Sequence, residues 1–306
     1  MIHASLGVVC ESPLLRKELS DFALTFGLSI EKNFAPESWA ENADDDLSGI
    51  DCWLIGERFF EEERIEAEAF LSETDKPVIY GLGEFSRDEE LSRREFVQLL
   101  KKVLAHLTTE SQISQGDIWV LGASLGGPEA VKGFLDALPS EMPVTFLYAQ
   151  HLDEVGSKAL ADVIGRDSII PVVQIDGITL LETGVVYQVP IDSSIDFANG
   201  VCFKTGQAWS GEYRPSIDEL LKRVSYAYGP RANVVYFSGM GSDGADVAES
   251  MNLKGSSIWV QSLQSAVSTA MPESVISKGI CEHIASPRDL AVLMRSIYCK
   301  PERLSV

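Results

Sequence analysis

Three segments of the sequence carry side chains that together could perform hydrolysis, and the first of them holds a serine. Ser124 lies in GASLGG (122–127), between an apolar strand-like segment and a helix-like one. This is the G-x-S-x-G pattern of a nucleophile elbow, in which small neighbours permit a tight turn that exposes the hydroxyl. Free amides at the start of the following helix would point at an oxyanion. The alternative is a glycine-rich turn that binds phosphate or only packs closely.

A general base would have to come from one of four histidines, which are His3, His106, His151 and His283. His151 directly follows the strand-like segment PVTFLYAQ (143–150). It is therefore expected at the carboxyl end of a strand, next to the strand that ends at Ser124. His3 lies near the N-terminus and His106 lies at a helix end, so both are expected to be solvated.

The third segment, GMGSDGA (239–245), again joins a strand-like segment to a helix-like one. Its Asp243 could orient a histidine ring and stabilise the imidazolium, or it could only cap a helix. The loop amides, Met240 among them, could complete an oxyanion hole. A triad can be drawn with His151 or, in the chain order of the α/β-hydrolases, with His283. The spacing alone does not decide between the two histidines.

Composition and patterning exclude several other kinds of site. The histidines have no HxH or HExxH spacing, GxGxxG is absent, and the five cysteines form no CxxC pair, so neither a metal nor a dinucleotide cofactor is expected. The formal charge of −21, from 46 acids against 25 Lys and Arg, disfavours binding to nucleic acid or anionic lipid. No apolar run approaches the roughly 18 residues of a membrane span, and the N-terminus lacks a signal-peptide pattern. A cytoplasmic protein is expected, with the acidic runs 44–46 and 61–63 as solvated faces.

Hydrophobic patterning predicts an α/β protein. A length of 306 residues suits two modest domains. Apolar runs of strand length occur at 6–10, 52–56, 77–82, 117–124, 143–150, 233–239 and 256–261. Helices are predicted after Ser12-Pro13, over the segment that contains Phe96 to Leu107, from Pro128 and after Ser286. Strand–helix alternation of this kind predicts parallel sheets covered by helices, with 185–190 and 201–204 as a hairpin or as edge elements.

Residues 117–299 resemble the catalytic domain of the CheB-type chemotaxis protein-glutamate methylesterases. The matching stretches, in the order of that family, are GASLGGPEA (122–130), AQH (149–151), YRPSID (213–218), SGMGSDGADV (238–247) and AMPESVI (270–276). The resemblance implies hydrolysis of glutamate γ-methyl esters on the cytoplasmic helices of chemoreceptors, with release of methanol, and receptor glutamine deamidation as a second activity. Chemoreceptors and other chemosensory proteins are the partners that it implies.

The resemblance also assigns roles to residues. It implies Ser124 as nucleophile, His151 as general base and acid, and Asp243 as the orienting carboxylate, and it therefore favours His151 over His283. It points to the backbone N–H groups of Leu125 and Met240 as oxyanion donors and implies no cofactor. Two other readings stay open, namely a different serine hydrolase of small esters and a non-catalytic signalling module.

Further residues in the matching stretches could contact the substrate. Arg214 could do so, or it could form a buried structural pair or contact the start of a helix, and Gly126 and Gly127 are candidates beside the nucleophile. The family usually has Thr where this chain has Leu125, which leaves the backbone amide in place but removes a hydroxyl. It usually has acidic residues after Gln261, where this chain continues with Ser-Leu, so altered packing or altered contacts at the substrate edge are expected there.

In this family the N-terminal domain is normally a phosphorylated receiver, and residues 1–107 resemble one weakly. The third strand ends at Gly56-Glu57 where a receiver has its phosphate-accepting Asp, and Cys10-Glu11 supplies one acid where a pair holds Mg²⁺. Gly81-Leu82-Gly83 lacks the expected Ser or Thr, and no fifth strand with its Lys is found. The prediction is a shortened, degenerate receiver over 1–107, a linker over 108–116, and a doubly wound, mostly parallel α/β methylesterase domain over 117–300.

Overall fold

The computed structural model describes residues 4–38, 47–57, 74–108, 116–152, 160, 164–165 and 168–299. The acidic runs at 44–46 and 61–63 and all but the ends of the predicted linker at 108–116 lie outside these ranges. The chain divides into two units: residues 1–113 with the short segment 177–180, and residues 114–176 with 181–306. Within the described ranges, no helix combines the length and the apolar character that crossing a membrane requires.

The first unit is a parallel sheet with two described helices. Its elements are β1 (Ser5–Val9), α1 (Pro13–Phe26), β2 (Ser29–Phe34), β3 (Cys52–Gly56), β4 (Val78–Leu82) and α2 (Glu89–Leu107), and the strands run in the order β2-β1-β3-β4. The predicted cap of α1 is confirmed, because the Ser12 hydroxyl accepts a hydrogen bond from the Leu15 amide at 3.2 Å. Strand β2 was not predicted from the sequence, because its side chains alternate between exposed and half-buried instead of forming a continuous apolar run.

The second unit contains more and shorter strands than its apolar runs predict. Its elements are β5 (Asp117–Ala123), α3 (Gly127–Leu135), β6 (Val144–Gln150), β7 (Val172–Gln174), β9 (Val186–Gln188), β10 (Ile195–Ala198), β11 (Val201–Lys204), α4 (Ile217–Tyr228), β12 (Ala232–Tyr236), α5 (Ala245–Asn252), β13 (Ile258–Gln261), α6 (Ala270–Ile276), β14 (His283–Ala285) and α7 (Pro287–Tyr298). The strand β8 (Ile178–Leu180) lies in the segment that groups with the first unit. The predicted cap of α7 is confirmed by a bond of 3.3 Å from the Asp289 amide to the Ser286 hydroxyl.

The prediction that 185–190 and 201–204 form a hairpin or edge elements is wrong on both alternatives, because β9 and β11 each lie between two other strands. Strand β9 instead lies parallel to β6 and β7 inside the main sheet, while β11 pairs with β10 in an antiparallel hairpin. Asn199 and Gly200 join these two strands, and both have positive φ, at 48° and 75°. Asn-Gly is the preferred sequence of a two-residue hairpin turn, so the signal that identifies the true pair was present between β10 and β11.

The main sheet has seven strands in the order β14-β13-β12-β5-β6-β9-β7, and every neighbouring pair is parallel. The predicted mixed α/β fold with a mostly parallel sheet is confirmed. From β5 the chain adds β6 on one side and returns to add β12, β13 and β14 on the other. The strand order therefore reverses between β5 and β12, and in such sheets ligands bind beyond the carboxyl ends of the strands at this point.

Both faces of this sheet are covered, as the alternation of buried side chains along β5 shows. Ile118 and Val120 lie in one buried cluster with the apolar sides of α4, α5 and α6, whereas Trp119 and Leu121 lie in a second cluster with α3 and α7. Successive residues of a strand point to opposite faces, so a strand that is apolar throughout belongs between two layers of helices. The ends of these strands are consequently held rigidly from both sides.

Candidate active site

The turn after β5 holds Ser124 through its backbone. Its amide donates to the carbonyl of Ser238 at 3.0 Å, and its carbonyl accepts bonds from the Gly127 amide at 2.9 Å and from Nε2 of Gln150 at 2.7 Å. The serine side chain is half-buried at the start of α3. The chain segments after β5, β6 and β12 therefore meet at this residue, as expected at the point where the strand order reverses.

Gly126 and Gly127, which are candidates for substrate contact, are each required for packing of the turn. A Cβ at Gly126, where φ is +76°, would lie 2.6 Å from Cβ of Val267, and one at Gly127 would lie 2.3 Å from Oε1 of Gln150. Real Cβ atoms do not approach neighbours so closely, so the turn needs glycine at both positions. The Gly127 amide is already bonded to the Ser124 carbonyl and is not available to a ligand.

The histidine and the aspartate predicted by sequence are in contact. Nε2 of His151 lies 2.9 Å from Oδ2 of Asp243, and the two side chains are only 9% and 4% exposed. The carboxylate also accepts hydrogen bonds from the backbone amides of Ile217 at 2.7 Å and of Asp218 at 2.9 Å. These are the first two amides of α4, which otherwise lack partners, and the positive end of the helix dipole stabilises a negative charge there.

The opposite nitrogen of the His151 ring, Nδ1, is buried and has no hydrogen-bond partner among the described residues. Because Nε2 faces a carboxylate that only accepts, we assign the proton of the neutral ring to Nε2 and the lone pair to Nδ1. Tyr213 lies parallel to the imidazole, with ring centroids 4.5 Å apart and 13° between the planes, and covers one of its faces.

Two unused amides flank the serine. Neither Leu125 nor Met240 donates its backbone N–H to a described residue. The Met240 segment lies close to Ser124, because a Cβ added at the preceding Gly239 would lie 3.0 Å from Cβ of Ser124. The side chains of Leu125 and Met240 are 56% and 59% exposed, so the entrance to the site is partly apolar.

A buried polar network that sequence reasoning missed supports these loops. Oε1 of Gln150 accepts a hydrogen bond from the Tyr148 hydroxyl at 2.7 Å, while its Nε2 donates to the Ser124 carbonyl. Gln261 accepts the Ser238 amide at 2.7 Å, and the Ser238 hydroxyl donates to the Leu125 carbonyl at 2.7 Å. The sequence did contain a signal for this network. Gln150 and Gln261 are each a polar residue at the end of a mostly apolar strand, VTFLYAQ and IWVQ.

Arg214 lies beside the histidine and faces solvent. Its side chain is exposed and bonds to no described residue, while its carbonyl accepts the Leu152 amide at 3.2 Å. The alternative that Arg214 forms a buried structural pair is therefore wrong. Helix α4 is capped instead by Ser216, whose hydroxyl accepts the Glu219 amide at 3.2 Å. The Arg214 guanidinium is available for contact with a bound molecule.

His283, the other histidine considered for the triad, lies away from Ser124. His283 is on the edge strand β14, three strand positions from β5, which is about 14 Å at the usual spacing. Its Nε2 lies 3.9 Å from Oε1 of Glu282, and its ring packs edge-on against Trp259. Among the cysteines, burial raises the pKa of Cys10 to about 11 and that of Cys52 to about 12, so these thiols stay protonated.

A family model described as CheB methylesterase matches residues 119–294, which is more than half of the chain. The chain therefore belongs to the CheB methylesterase family. A protein-glutamate methylesterase/protein-glutamine glutaminase of Saccharophagus degradans is 33% identical over 171 residues, and one of Myxococcus xanthus is 33% identical over 180 residues. These alignments cover 54% and 58% of this chain and 46% and 51% of the relatives, so the chain spans about half the length of the curated relatives that it matches.

A solved structure has the same fold. The CheB methylesterase catalytic domain of Thermotoga maritima aligns with a TM-score of 0.57 at 24% sequence identity, over 60% of this chain and 99% of that one. The likeness supports the parallel α/β architecture of the second unit. It does not extend over the whole chain, so the N-terminal unit has to be interpreted from its own residues.

Gly239→Ala tests the close approach of the loop after β12 to the nucleophile. The new Cβ would lie 2.9 Å from Sδ of Met271 and 3.0 Å from Cβ of Ser124, so one of them must move. We expect a fluorophosphonate to label Ser124 at least about tenfold more slowly, because displacement of reacting groups is costly. Gly133→Ala is the matched control, since nothing lies within 4 Å of its added Cβ. Equal labelling of Gly239→Ala and the control would contradict this account.

Proposed function

We propose that this protein is a protein-glutamate methylesterase that acts through Ser124, His151 and Asp243. The observation that carries the proposal is the buried contact of 2.9 Å between His151 and Asp243, which leaves the other ring nitrogen without a partner among the described residues. The backbone amide of His151 donates to the carbonyl of Ala123, the residue before Ser124, at 3.0 Å. A base with one nitrogen fixed by a carboxylate and the other unoccupied is suited to taking a proton from a nucleophile. The names of the relatives supply the substrate class.

In the first half-reaction, Ser124 Oγ attacks the carbonyl carbon of the γ-methyl ester while Nδ1 of His151 takes the hydroxyl proton. The resulting imidazolium is stabilised by Asp243, whose own charge is held by the amides of α4. The oxyanion accepts hydrogen bonds from the backbone N–H groups of Leu125 and Met240. The C–O bond to the methoxy group then breaks, Nδ1 returns the proton, and methanol leaves.

The second half-reaction uses the same groups in the same order. A water molecule gives its proton to Nδ1 and attacks the glutamyl–Ser124 ester. The bond to Oγ breaks, the proton returns to Oγ, and a free glutamate side chain is released. A glutamine amide can follow the same path with ammonia in place of methanol, which is consistent with the double name of the relatives.

The surface around Ser124 suits a protein substrate. The exposed side chains of Leu125 and Met240 are joined by Val267, which is 70% exposed and adjoins Gly126, so the entrance is apolar at three points. Arg214 adds a free positive charge to a chain whose formal charge is −21. We propose that this surface contacts the cytoplasmic helix of a methylated chemoreceptor and that Arg214 binds an acidic residue near the target ester. A cytoplasmic location is part of the proposal.

Removal of any member of the triad should abolish most activity. Ser124→Ala and His151→Ala are each expected to lower methanol release from methylated receptor about 1,000-fold or more, because the three residues act as one unit. Asp243→Asn should also be severe, since it removes the charge that stabilises the imidazolium. Circular dichroism checks that each variant is folded.

The control for the triad is His283→Ala, which changes the competing histidine. It should keep wild-type turnover, because this residue contacts Glu282 and Trp259 on the edge strand. Near-normal turnover by His151→Ala, or loss of activity in His283→Ala alone, would contradict the assignment and favour a different hydrolase.

Arg214→Ala separates recognition of the protein substrate from the chemical step. Loss of a charge-assisted contact should raise KM for methylated receptor about tenfold and leave kcat nearly unchanged. Hydrolysis of a small neutral ester should not change. Arg288→Ala, another exposed arginine at the start of α7, is the matched control and should have no effect on either substrate. Equal losses on both substrates would place Arg214 in the chemical step instead.

For the N-terminal unit we propose a degenerate receiver. Its strand order β2-β1-β3-β4 corresponds to the first four positions of the flavodoxin-like order 2-1-3-4-5 that receivers share. A cleft at the carboxyl ends of β1, β3 and β4 is lined by Glu11, Glu57 and Glu84 together with Cys10 and Gly83. It is acidic, which supports the comparison, but no Asp stands where a receiver accepts phosphate.

We expect that this unit does not respond to phosphodonors. Acetyl phosphate with Mg²⁺ should neither label the full-length protein nor change its esterase rate, because Glu57 follows β3 with a side chain one methylene longer than Asp. Measurements with and without phosphodonor, beside a truncation that begins near residue 112, test this directly. Activation of the full-length chain by phosphodonor, lost in Glu57→Gln, would show instead that the domain is a working receiver. If phosphorylation has no effect, regulation has to come from protein docking or the enzyme is constitutively active.

A further inference from the structure

A second carboxylate lies beside the triad without a part in the mechanism above. Asp218 is the second residue of α4, and its amide donates to Oδ1 of Asp243 at 2.9 Å. In return, Oδ1 of Asp218 accepts the amide of Gly244 at 3.0 Å, at the start of α5. The two carboxylates therefore bind each other's chain segments reciprocally: Asp243 binds the first two amides of α4, and Asp218 binds the amide of Gly244, the residue before α5.

Two like charges so close together are unfavourable unless a positive charge compensates them. Burial and the charge of Asp243 raise the pKa of Asp218, while Lys222 and the Gly244 amide act in the opposite direction. Asp243 faces His151, so an imidazolium at His151 would relieve the repulsion between the acids. The ring acquires this charge whenever it accepts a proton from Ser124 or from water.

We infer that Asp218 is a positioning residue for the triad, and that its negative charge, held against Asp243 by the reciprocal hydrogen bonds, stabilises the imidazolium form of His151. The inference rests on the proposed function for its catalytic meaning. The electrostatic coupling between Asp218 and His151 does not depend on which substrate the enzyme hydrolyses.

Other charged and titratable groups near this pair have to be considered. Those around Asp218 and His151 are Lys222 on α4, Asp246 on α5, the buried hydroxyl of Tyr236 on β12, and Tyr213 and Arg214 in the segment before α4. Glu219 of α4 and Asp196 of β10 are both paired with Arg223. Among these groups, Asp218 is the carboxylate that is bonded directly to the Asp243 loop.

Asp218→Asn removes the charge and keeps the hydrogen bonds, because the amide oxygen can still accept from Gly244 and the backbone N–H still donates to Asp243. We expect the pKa of His151 to fall by about one half to one unit, since one negative charge near the ring is lost. Histidine NMR titration of the full-length protein measures this, with the His151 signal assigned from its absence in His151→Gln. The acid limb of kcat/KM should move to lower pH by the same amount, and kcat should fall.

Asp246→Asn is the matched control. Asp246 is also the second residue of its helix, but its side chain is 90% exposed and pairs with Lys278, so its charge is screened by water. The pKa of His151 should not change in this variant. The melting temperature of Asp218→Asn should be no lower than that of wild type, because the hydrogen bonds remain and the repulsion between the two acids is removed. An unchanged His151 pKa in Asp218→Asn, or an equal shift in both variants, would overturn the inference.

The NMR titration also distinguishes failure of this inference from failure of the proposed function. If wild type releases no methanol from methylated receptor but the His151 pKa still falls in Asp218→Asn, the proposed substrate is wrong and the coupling stands. If wild type is active and neither the titration nor the acid limb moves, the triad stands without Asp218.

Discussion

The site depends on how a buried negative charge at Asp243 is stabilised. A carboxylate that is only 4% exposed is costly unless its lone pairs are satisfied, and here two helix amides and the imidazole satisfy them. The same contacts fix the ring of His151 and its tautomer. One set of hydrogen bonds therefore caps α4 and orients the ring of His151, and in the proposed mechanism it stabilises the positive charge on that ring. Replacement of Asp243 affects all three together.

This arrangement is possible because the sheet brings distant parts of the chain to one edge. Ser124, His151 and Asp243 follow β5, β6 and β12, which are neighbours in space although the last two are separated by about eighty residues. The reversal of strand order between β5 and β12 leaves room for a bound side chain between the loops. Gln150 and Gln261 then bind the loop backbones, which supplies partners for the Ser124 carbonyl and the Ser238 amide at these buried strand ends.

The sequence predicted the parts of this protein that depend on local chemistry. Long apolar runs identified β5 and β6, and caps such as Ser12 and Ser286 identified helix starts, because both signals act over a few residues. It did not predict the three-residue strands β7 and β14, which exist because a neighbouring strand pairs with them. Spacing could not choose between His151 and His283, since that choice depends on strand order. The family resemblance favoured His151, and the geometry of Asp243 agrees with it.

The two units both contain a parallel sheet, but different side chains meet at the ends of their strands. Each has a parallel sheet whose strand ends converge, and each requires glycine where loops approach: a Cβ at Gly56 would lie 2.6 Å from Cβ of Cys10, much as one at Gly127 would meet Gln150. In the second unit the converging residues are Ser124, His151 and the charge-stabilised carboxylate of Asp243, for which we propose the roles of a catalytic triad. In the first they are the glutamates of the cleft, Glu11, Glu57 and Glu84, each with a side chain one methylene longer than that of Asp. Convergence of strand ends therefore creates a place for chemistry in both units, and the side chains that line it differ, which is why we propose hydrolysis in one unit and no phosphoryl transfer in the other.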